Sequence, residues 1–239
     1  AGDDAYGFYA GDVISIYGNV AGKVTVDAQW YGVGLYADND IDIYGDLSGK
    51  VTVAAEHYEA DGLYADDDLN IGGDLSGTVV ATVADGVYES ARAYGLHSDN
   101  DMDIYGNVSG TVTASASAAR SERSNECYSF GQYADVTGLY AEDELHIGGS
   151  LSGTVTAKAS ASDSLSLGAG AIGECGVETS AFASGVETGE SSLLISGSLT
   201  GKVTATSTAQ ASVQADRRAD VLTCAGARAG AAGLSSDGD

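Results

Sequence analysis

One segment recurs along this chain, and the repeat constrains the fold more than any single residue does. The clearest copy is GLYADNDIDIYGDLSGKVTVAA, which begins at Gly34. Further copies begin at Gly7, Gly62, Gly95, Gly138 and Gly185, and a partial seventh begins at Gly233. Such a period predicts a supersecondary unit that buries its apolar face by stacking on copies of itself.

The spacing between repeats is short at first and then grows. The glycine that opens the corner G-D/N-L-S-G falls at positions 18, 45, 73, 106, 149 and 197, so successive spacings are 27, 28, 33, 43 and 48 residues. The added residues always fall between the VTV segment and the next GLYA, in Ala- and Ser-rich inserts such as 114–137 and 157–184. We therefore predict one domain, 1–239, with tight repeats over 1–115 and long inserts over 116–239.

Each repeat holds three short segments with the period-two alternation of strands. In the copy at Gly34 they are 34–37, 41–44 and 50–53, and the Ile43 and Val51 positions stay apolar in six copies. No 3.6-residue period indicates helices, and 27 residues are too few for a propeller blade. We predict an all-β fold, a right-handed parallel β-helix (β-solenoid) of about six rungs of three short strands, with side insertions in the later rungs.

The corner between the second and third segments is rich in Gly, Asn and Asp. Gly45 and Gly49 bracket it, and we expect positive φ and close backbone approach there. One corner position holds Asn19, Asp46, Asp74 and Asn107 in four successive repeats. Stacked Asn and Asp side chains at such a corner can satisfy backbone groups.

The run VGLYADNDIDIYGDLSGKVTV resembles the repeats of secreted bacterial β-helix surface proteins, of the autotransporter-passenger and filamentous-haemagglutinin kind. The resemblance covers nearly the whole chain and rests on the GLYA, DIYG and LSGTVT elements rather than on a catalytic signature. It implies export to the cell surface and an extended structure. It supplies no ligand.

Charge excludes two classes of partner. With 35 acidic and 10 basic residues the formal net charge is −25, which opposes binding to nucleic acid and to anionic membranes. No apolar run is long enough to predict a membrane span. Strong self-repulsion is expected unless cations are bound. The first residue is Ala1 rather than Met, as in a processed secreted protein or in a trimmed fragment.

An acidic edge separates the first and second segments and is the candidate metal site. In four repeats it reads Asp-Asn-Asp, Asp-Asp-Asp, Asp-Asn-Asp and Glu-Asp-Glu, and the candidate ligands are Asp38, Asp40, Asp66, Asp68, Asp99, Asp101, Glu142 and Glu144. Oxygen-only ligands suit Ca²⁺ better than a transition metal. The alternative is a solvated acidic edge that keeps neighbouring molecules apart.

Three cysteines fall at nearly the same place in three consecutive repeats: Cys127, Cys175 and Cys224. Stacking would make them neighbours on one side, so one disulfide with one thiol left over, available to another subunit, is expected. Three buried cysteines without a disulfide are the alternative.

Two rows of tyrosine are predicted to face outward: Tyr9, Tyr36, Tyr64 and Tyr140, interrupted by His97, and Tyr17, Tyr44 and Tyr105. Such rows can bind sugars or pack against another subunit, and we favour subunit contact because a large exposed aromatic stripe is a liability on a monomer.

Catalysis is not expected. The three histidines have no Ser or Asp partner at a recognisable spacing, and acidic pairs are too numerous to mark a glycosidase. A polysaccharide-active enzyme is therefore disfavoured. Ice binding by the outward Thr row is also disfavoured, because Lys23, Lys50, Lys202 and Val80 interrupt it.

The function predicted from these features is that of a structural subunit of an extracellular filament, sheath or surface layer. It would assemble with itself through open ends and lateral faces, with Ca²⁺ as a candidate cofactor. The alternative is an adhesin-like surface module that binds glycans or host surfaces.

Overall fold

The computed structural model describes residues 2–84, 90–126, 129–169, 171–217 and 220–236. Within these ranges the chain forms β-strands only. The strands are β1 (Gly2–Ala10), β2 (Ile14–Ile16), β3 (Lys23–Ala37), β4 (Ile41–Ile43), β5 (Lys50–Ala55), β6 (Glu59–Ala65), β7 (Leu69–Ile71), β8 (Thr78–Val83), β9 (Ser90–Ser98), β10 (Met102–Ile104), β11 (Thr111–Ser124), β12 (Ser129–Ala141), β13 (Leu145–Ile147), β14 (Thr154–Leu167), β15 (Ile172–Thr188), β16 (Leu193–Ile195), β17 (Lys202–Ala215) and β18 (Asp220–Ser236). The described residues hold no helix long and apolar enough to cross a membrane.

The strands form two parallel sheets. The larger has 12 strands in the order β17-β14-β11-β8-β5-β3-β6-β9-β12-β15-β18, with β1 also paired to β3. The smaller has six strands in the order β16-β13-β10-β7-β4-β2. The long strand β3 joins the two arms of the larger sheet, because its first part pairs with β5 and its second part with β6.

The two sheets nearly enclose one apolar core. The arms of the larger sheet contact each other, and side chains of the smaller sheet, such as Ile41 and Ile43, pack in the same cluster as Leu35 and Val51 of the larger one. Fully buried Leu, Ile and Val side chains fill the space between the sheets. Their burial is the main source of the stability of the fold.

Equivalent residues of successive repeats lie side by side in the sheets. The Ile43 position forms the column Ile16, Ile43, Ile71, Ile104, Ile147 and Ile195. The Val51 position forms the column Val24, Val51, Val79, Val112, Val155 and Val203. The predicted inward ladders of apolar residues are therefore confirmed.

The predicted right-handed β-helix with rungs of three short strands is wrong. The strands belong to two sheets, and those of the larger sheet reach 17 residues in β15 and β18. The inserts are also not side loops, because most of their residues extend β11, β12, β14, β15, β17 and β18. Ala and Ser have weak strand preference, but in-register neighbouring strands supply hydrogen-bond partners for the backbone, and this overrides local propensity.

The inserts pack on one another and bury a second, smaller core. Leu165 and Leu167 of β14 pack there with Cys175 and Val177 of β15. The alternation of small and polar residues in the inserts places one face of each strand inward, as the burial pattern of β14 shows.

The corner side chains form a chain of hydrogen bonds from one repeat to the next. The Asp46 amide donates to Asn19 Oδ1 at 2.9 Å, the Asp74 amide to Asp46 Oδ1 at 2.8 Å, and the Asn107 amide to Asp74 Oδ1 at 2.6 Å. Ser150 continues the chain by donating to Asn107 Oδ1. The expectation that stacked Asn and Asp satisfy corner backbone groups is confirmed.

Close backbone approach explains the corner glycines. A Cβ on Gly45 would lie 2.2 Å from Asn19 Oδ1, and one on Gly49 would lie 2.3 Å from the Gly22 carbonyl oxygen. Neither glycine has a positive φ, so that part of the expectation is wrong. The space between stacked repeats, rather than the backbone conformation, excludes a side chain there.

Replacing Asp74 with Ala should lower the free energy of unfolding by about 1–2 kcal/mol, because the Asn107 amide loses its acceptor. Asp74→Asn is the matched control, since its carbonyl oxygen can accept the same hydrogen bond as Asn19 and Asn107 do. Urea unfolding of the three proteins measures the difference. Equal losses in both variants would contradict the hydrogen-bond explanation.

Candidate functional site: the acidic edge and the aromatic stripe

The predicted acidic residues lie along the edge where the larger sheet passes into the smaller one. Each group follows a strand of the larger sheet and precedes a short strand of the smaller sheet, as residues 38–40 do between β3 and β4. All eight predicted ligands are exposed or half-buried. Because the strands are parallel and in register, the groups form columns down this edge.

The first carboxylate of each group accepts a hydrogen bond from a tyrosine of the aromatic stripe. The hydroxyl of Tyr9 donates to Asp38 at 3.2 Å, and that of Tyr36 donates to Asp66 at 3.1 Å. Tyr64 likewise donates to Asp99 at 2.8 Å. Tyr140 differs, because it donates to Glu142 of its own repeat. Most of this column is therefore used in contacts between repeats.

The third carboxylate of each group accepts a backbone hydrogen bond from the next repeat. Asp40 Oδ1 accepts from the Asp68 amide at 3.3 Å, Asp68 Oδ1 from the Asp101 amide at 3.3 Å, and Asp101 Oδ1 from the Glu144 amide at 3.0 Å. This column therefore repeats the hydrogen-bond pattern of the Asn and Asp corner.

Asn residues separate carboxylates in the middle column. Asn39 Nδ2 donates to Asp12 at 2.7 Å, and Asn100 Nδ2 donates to Asp67 at 3.1 Å. An amide between carboxylates replaces repulsion with a hydrogen bond. The third repeat has Asp67 at this position instead of Asn, and its carboxylate lies close to those of Asp40 and Asp68.

The densest oxygen cluster on the edge joins Asp40 and Asp68 with Asp67, which was not among the predicted ligands. One oxygen from each lies within 4.8 Å of the others. Burial raises the pKa of Asp68, and the charges of Asp67 and Asp101 add to the rise. A hard cation such as Ca²⁺ would relieve this repulsion. The other predicted ligands, Asp38, Asp66, Asp99, Asp101, Glu142 and Glu144, do not join this cluster.

The first tyrosine row forms a continuous stack rather than an exposed stripe. The ring centroids of Tyr9 and Tyr36 are 5.5 Å apart, those of Tyr36 and Tyr64 5.3 Å, and those of Tyr64 and His97 4.4 Å. Tyr140 follows at 5.2 Å from His97. Tyr36, Tyr64 and Tyr140 are half-buried, so these rings mainly cover the wall of the larger sheet.

The second tyrosine row is the exposed one. Tyr17 and Tyr44 stack at 4.9 Å with nearly parallel rings. Tyr17 is 84% exposed, Tyr44 57% and Tyr105 58%. Of the seven predicted contact aromatics, these three and Tyr9 are the exposed ones, and the other three are half-buried.

A buried polar cluster that we did not predict lies beneath the first tyrosine row. Glu59, Asp61 and His97 each offer a ligand atom within 4.8 Å of the others, and Asp61 is fully buried. The positions equivalent to Asp61, just before the repeated glycine, are Tyr6, Val33, Tyr94, Thr137, Ser184 and Ala232. Asp61 is therefore the one charged residue at this position among the copies of the repeat, and this was the sequence signal that could have indicated the cluster.

The cysteines do not all face one side. Cys175 is buried and disulfide-bonded, whereas Cys224 is free and exposed. Cys175 pairs in register with Thr223, and Cys224 pairs with Gly176, so a one-residue offset turns the two side chains to opposite faces. Cys127 lies outside the described residues.

Comparison of the chain with protein families, with curated proteins and with solved structures gives no match. Its function must therefore be argued from its own geometry.

Replacing Tyr64 with Phe should lower the free energy of unfolding by about 1–2 kcal/mol at neutral pH, because Asp99 loses a donor. Burial raises the pKa of Asp99, but hydrogen bonds from His97 and Tyr64 outweigh it and hold that pKa below its usual value. A carboxylate with a lowered pKa stabilises the fold above its unfolded pKa of about 3.9 and loses this effect as pH falls below it.

The loss of unfolding free energy caused by Tyr64→Phe should therefore become smaller in acid. Urea unfolding at several pH values measures this loss. Tyr44→Phe in the exposed row is the control and should change stability by less than about 0.5 kcal/mol. Equal deficits in the two variants would show that the carboxylate contact contributes nothing.

Proposed function

We propose that this chain is a structural subunit of an extracellular filament, sheath or surface layer, and that copies stack head to tail along the direction of strand pairing. One observation carries the proposal: apolar columns that are buried inside the protein end in exposed or half-buried side chains at both edges of the sheets.

At the edge formed by β16, β17 and β18, two such columns end in exposed leucines. Leu199 is 49% exposed, although its equivalents Leu75 and Leu151 are fully buried. Leu234 is 41% exposed, although Val186 beside it is fully buried. Each leucine continues a column that is buried in the preceding strands, so a further strand paired at this edge would bury it as well.

The same columns end at the opposite edge with Phe8 and Val20. Phe8 is 60% exposed and lies beside the fully buried column of Leu35. A head-to-tail stack would place Phe8 beside Leu234 and Val20 beside Leu199. Burying a side chain of this size stabilises an interface by about 1.5–3 kcal/mol.

The backbone of the edge strand β2 is also available for pairing. The Ile14 amide donates to Asp40, and the Ile16 carbonyl accepts from Tyr44, so both residues direct their backbone groups toward β4. Alternation then directs the amide and carbonyl of Ser15 toward the free edge. An unpaired edge of this kind is a template for another strand.

A head-to-tail contact that does not close produces a fibre. In a head-to-tail stack, the first part of β3 in one copy would lie beside β17 of the next copy. That part of β3 pairs with β5 only as far as Ala28, whereas β17 is longer and continues to Ala215. The outer part of the long strands would stay uncovered in such a stack. We propose that it makes lateral contacts between filaments, together with Tyr17, Tyr44 and Tyr105.

The net charge of −25 opposes assembly, so we propose that cations take part in it. The cluster of Asp40, Asp67 and Asp68 is the place where Ca²⁺ would relieve most repulsion. The disulfide at Cys175 supports an oxidising, extracellular location.

Purified chain should form regular fibres in electron micrographs, faster with CaCl₂ than with EDTA, because bound cations reduce the repulsion between copies. Ser15→Pro should abolish fibres and leave the monomer folded, since proline removes an amide that its own sheet does not use. Ser15→Ala is the matched control and should still assemble.

Sedimentation gives the assembled fraction, and circular dichroism checks the fold. Monomers of the unmodified chain under both ionic conditions would refute the filament proposal.

A second candidate function, a surface module that binds glycans, is favoured by a slot in the exposed tyrosine row. Gly72 lies between Tyr44 and Tyr105 in register, since its amide donates to the Ile43 carbonyl and the Tyr105 amide donates to the Ile71 carbonyl. The resulting cavity has a volume of about 190 Å³ and is also lined by Asp42 and Asn70.

The slot has the width of one missing ring. Strands lie about 4.8 Å apart, so Tyr44 and Tyr105 stand about 10 Å from each other. A ring inserted midway would stack on both at close to the 4.9 Å that separates Tyr17 from Tyr44. Asp42 and Asn70 would offer hydrogen bonds to hydroxyl groups, and the net charge would favour neutral over acidic sugars.

If this second function holds, a neutral pyranose oligosaccharide should bind the chain, and Tyr105→Ala should weaken binding about tenfold because one stacking face is lost. Tyr17→Ala, outside the slot, is the control. Isothermal titration with ligands first identified on a glycan array measures the effect. Equal affinities of the two variants would exclude the slot.

A further inference from the structure

We propose that Glu59, Asp61 and His97 form a buried site for one divalent transition-metal ion, with Zn²⁺ as the ion that suits these ligands best. The site lies in the wall of the larger sheet, away from the edges on which the filament proposal depends. The two proposals can therefore fail independently.

The three residues converge because of strand alternation and register. Glu59 and Asp61 are two positions apart in β6, so their side chains leave the same face of the sheet. His97 lies in the neighbouring strand β9, beside Tyr64. One ligand atom from each of the three residues lies within 4.8 Å of the others, a spacing that one ion can bridge.

The cluster contains polar atoms that the protein does not satisfy. Asp61 is 0% exposed, and neither of its carboxylate oxygens makes a hydrogen bond of normal distance and angle, although the Tyr94 amide and the Tyr31 hydroxyl lie near it. His97 is 9% exposed, and its Nδ1 also has no partner. Buried polar atoms in native proteins are nearly always paired, so two unpaired groups this close together indicate a missing ligand.

The carboxyl groups of Glu59 and Asp61 lie close together in this buried cluster. Burial raises the pKa of Asp61 well above its usual value, and the Glu59 charge adds to the rise, while the Tyr94 amide and the Tyr31 hydroxyl oppose it. Arg92 lies beside Glu59 in register and offsets part of the negative charge.

His97 is already oriented as a metal ligand. Its Nε2 lies 3.1 Å from Asp99 Oδ1, and its Nδ1 is the ring nitrogen that remains available to a metal ion. Metal-bound histidines typically donate their other ring nitrogen to a carboxylate in this way, which fixes the tautomer and the ring. Asp99 is held in turn by the Tyr64 hydroxyl.

The ligand chemistry selects the ion. One imidazole with two carboxylates suits Zn²⁺, whereas Ca²⁺ prefers oxygen ligands alone. The rings of Tyr64 and Tyr94 lie 4.4 and 4.3 Å from the His97 ring and shield it from water. An ion there would cross-link β6 and β9 through side chains.

The test is titration of metal-free, full-length chain with ZnCl₂, followed by isothermal calorimetry, and with CoCl₂, followed by its visible absorption. We expect one ion per chain and a cobalt spectrum typical of nitrogen and oxygen ligands. Asp61→Asn and His97→Gln should each weaken binding by about 100-fold or more, since both remove a direct ligand. Asp99→Asn should weaken it by about 10–100-fold through His97.

Two variants control for ions bound elsewhere. His146→Gln removes a histidine that also contacts a carboxylate, Asp103, at 3.1 Å. Asp67→Asn removes the same charge as Asp61→Asn, but from the acidic edge. Both should bind Zn²⁺ with unchanged affinity.

The metal proposal also predicts opposite effects of Asp61→Asn on the two forms of the protein. The variant should melt at a higher temperature than the metal-free parent, because a buried carboxyl is gone, yet gain nothing from Zn²⁺. Unchanged zinc affinity in Asp61→Asn and His97→Gln would mean an ion bound only at the surface, and no binding by the parent would mean that these three side chains hold no ion. Either result would overturn the proposal.

Discussion

In-register parallel pairing is the constraint on which the rest of this structure depends. Each residue lies beside its own equivalent in the next repeat, so whatever one repeat places at a position is stacked on itself at the strand spacing of about 4.8 Å. For apolar positions this is favourable without further conditions. The columns of Ile43 and Val51 therefore need only the same residue type in every copy.

The same pairing is a problem for charged positions, because carboxylates are brought next to carboxylates. At the acidic edge, hydrogen-bond donors from a neighbouring repeat offset the repulsion between carboxylates. Tyr36 donates to Asp66, and Asn100 donates to Asp67. Beneath the tyrosine row this does not happen, because neither oxygen of Asp61 receives a hydrogen bond of normal geometry. That difference separates a column that is satisfied internally from a place that calls for a ligand.

Much of this arrangement could be predicted from the repeat, including the inward ladders, the corner hydrogen bonds and the outward tyrosines. The sheet architecture could not. Residues 114–124 looked like part of a side loop because Ala and Ser seldom form strands alone, but β14 pairs with this segment residue by residue. The cluster at Asp61 also escaped prediction, since only register brings His97 of another repeat beside it.

The sequence by itself determined the repeat, its strictly apolar columns and the acidic edge, because these follow from alternation and from recurrence of residue types. Only the tertiary structure decided how far the sheets extend and which way the side chains of the inserts face. Cys175 and Cys224 illustrate the reason: their positions in successive repeats differ by one residue, and in a strand one residue reverses the face. The approximate spacing of the repeats does not determine on which face each cysteine lies, whereas the hydrogen-bonded pairing of the strands does.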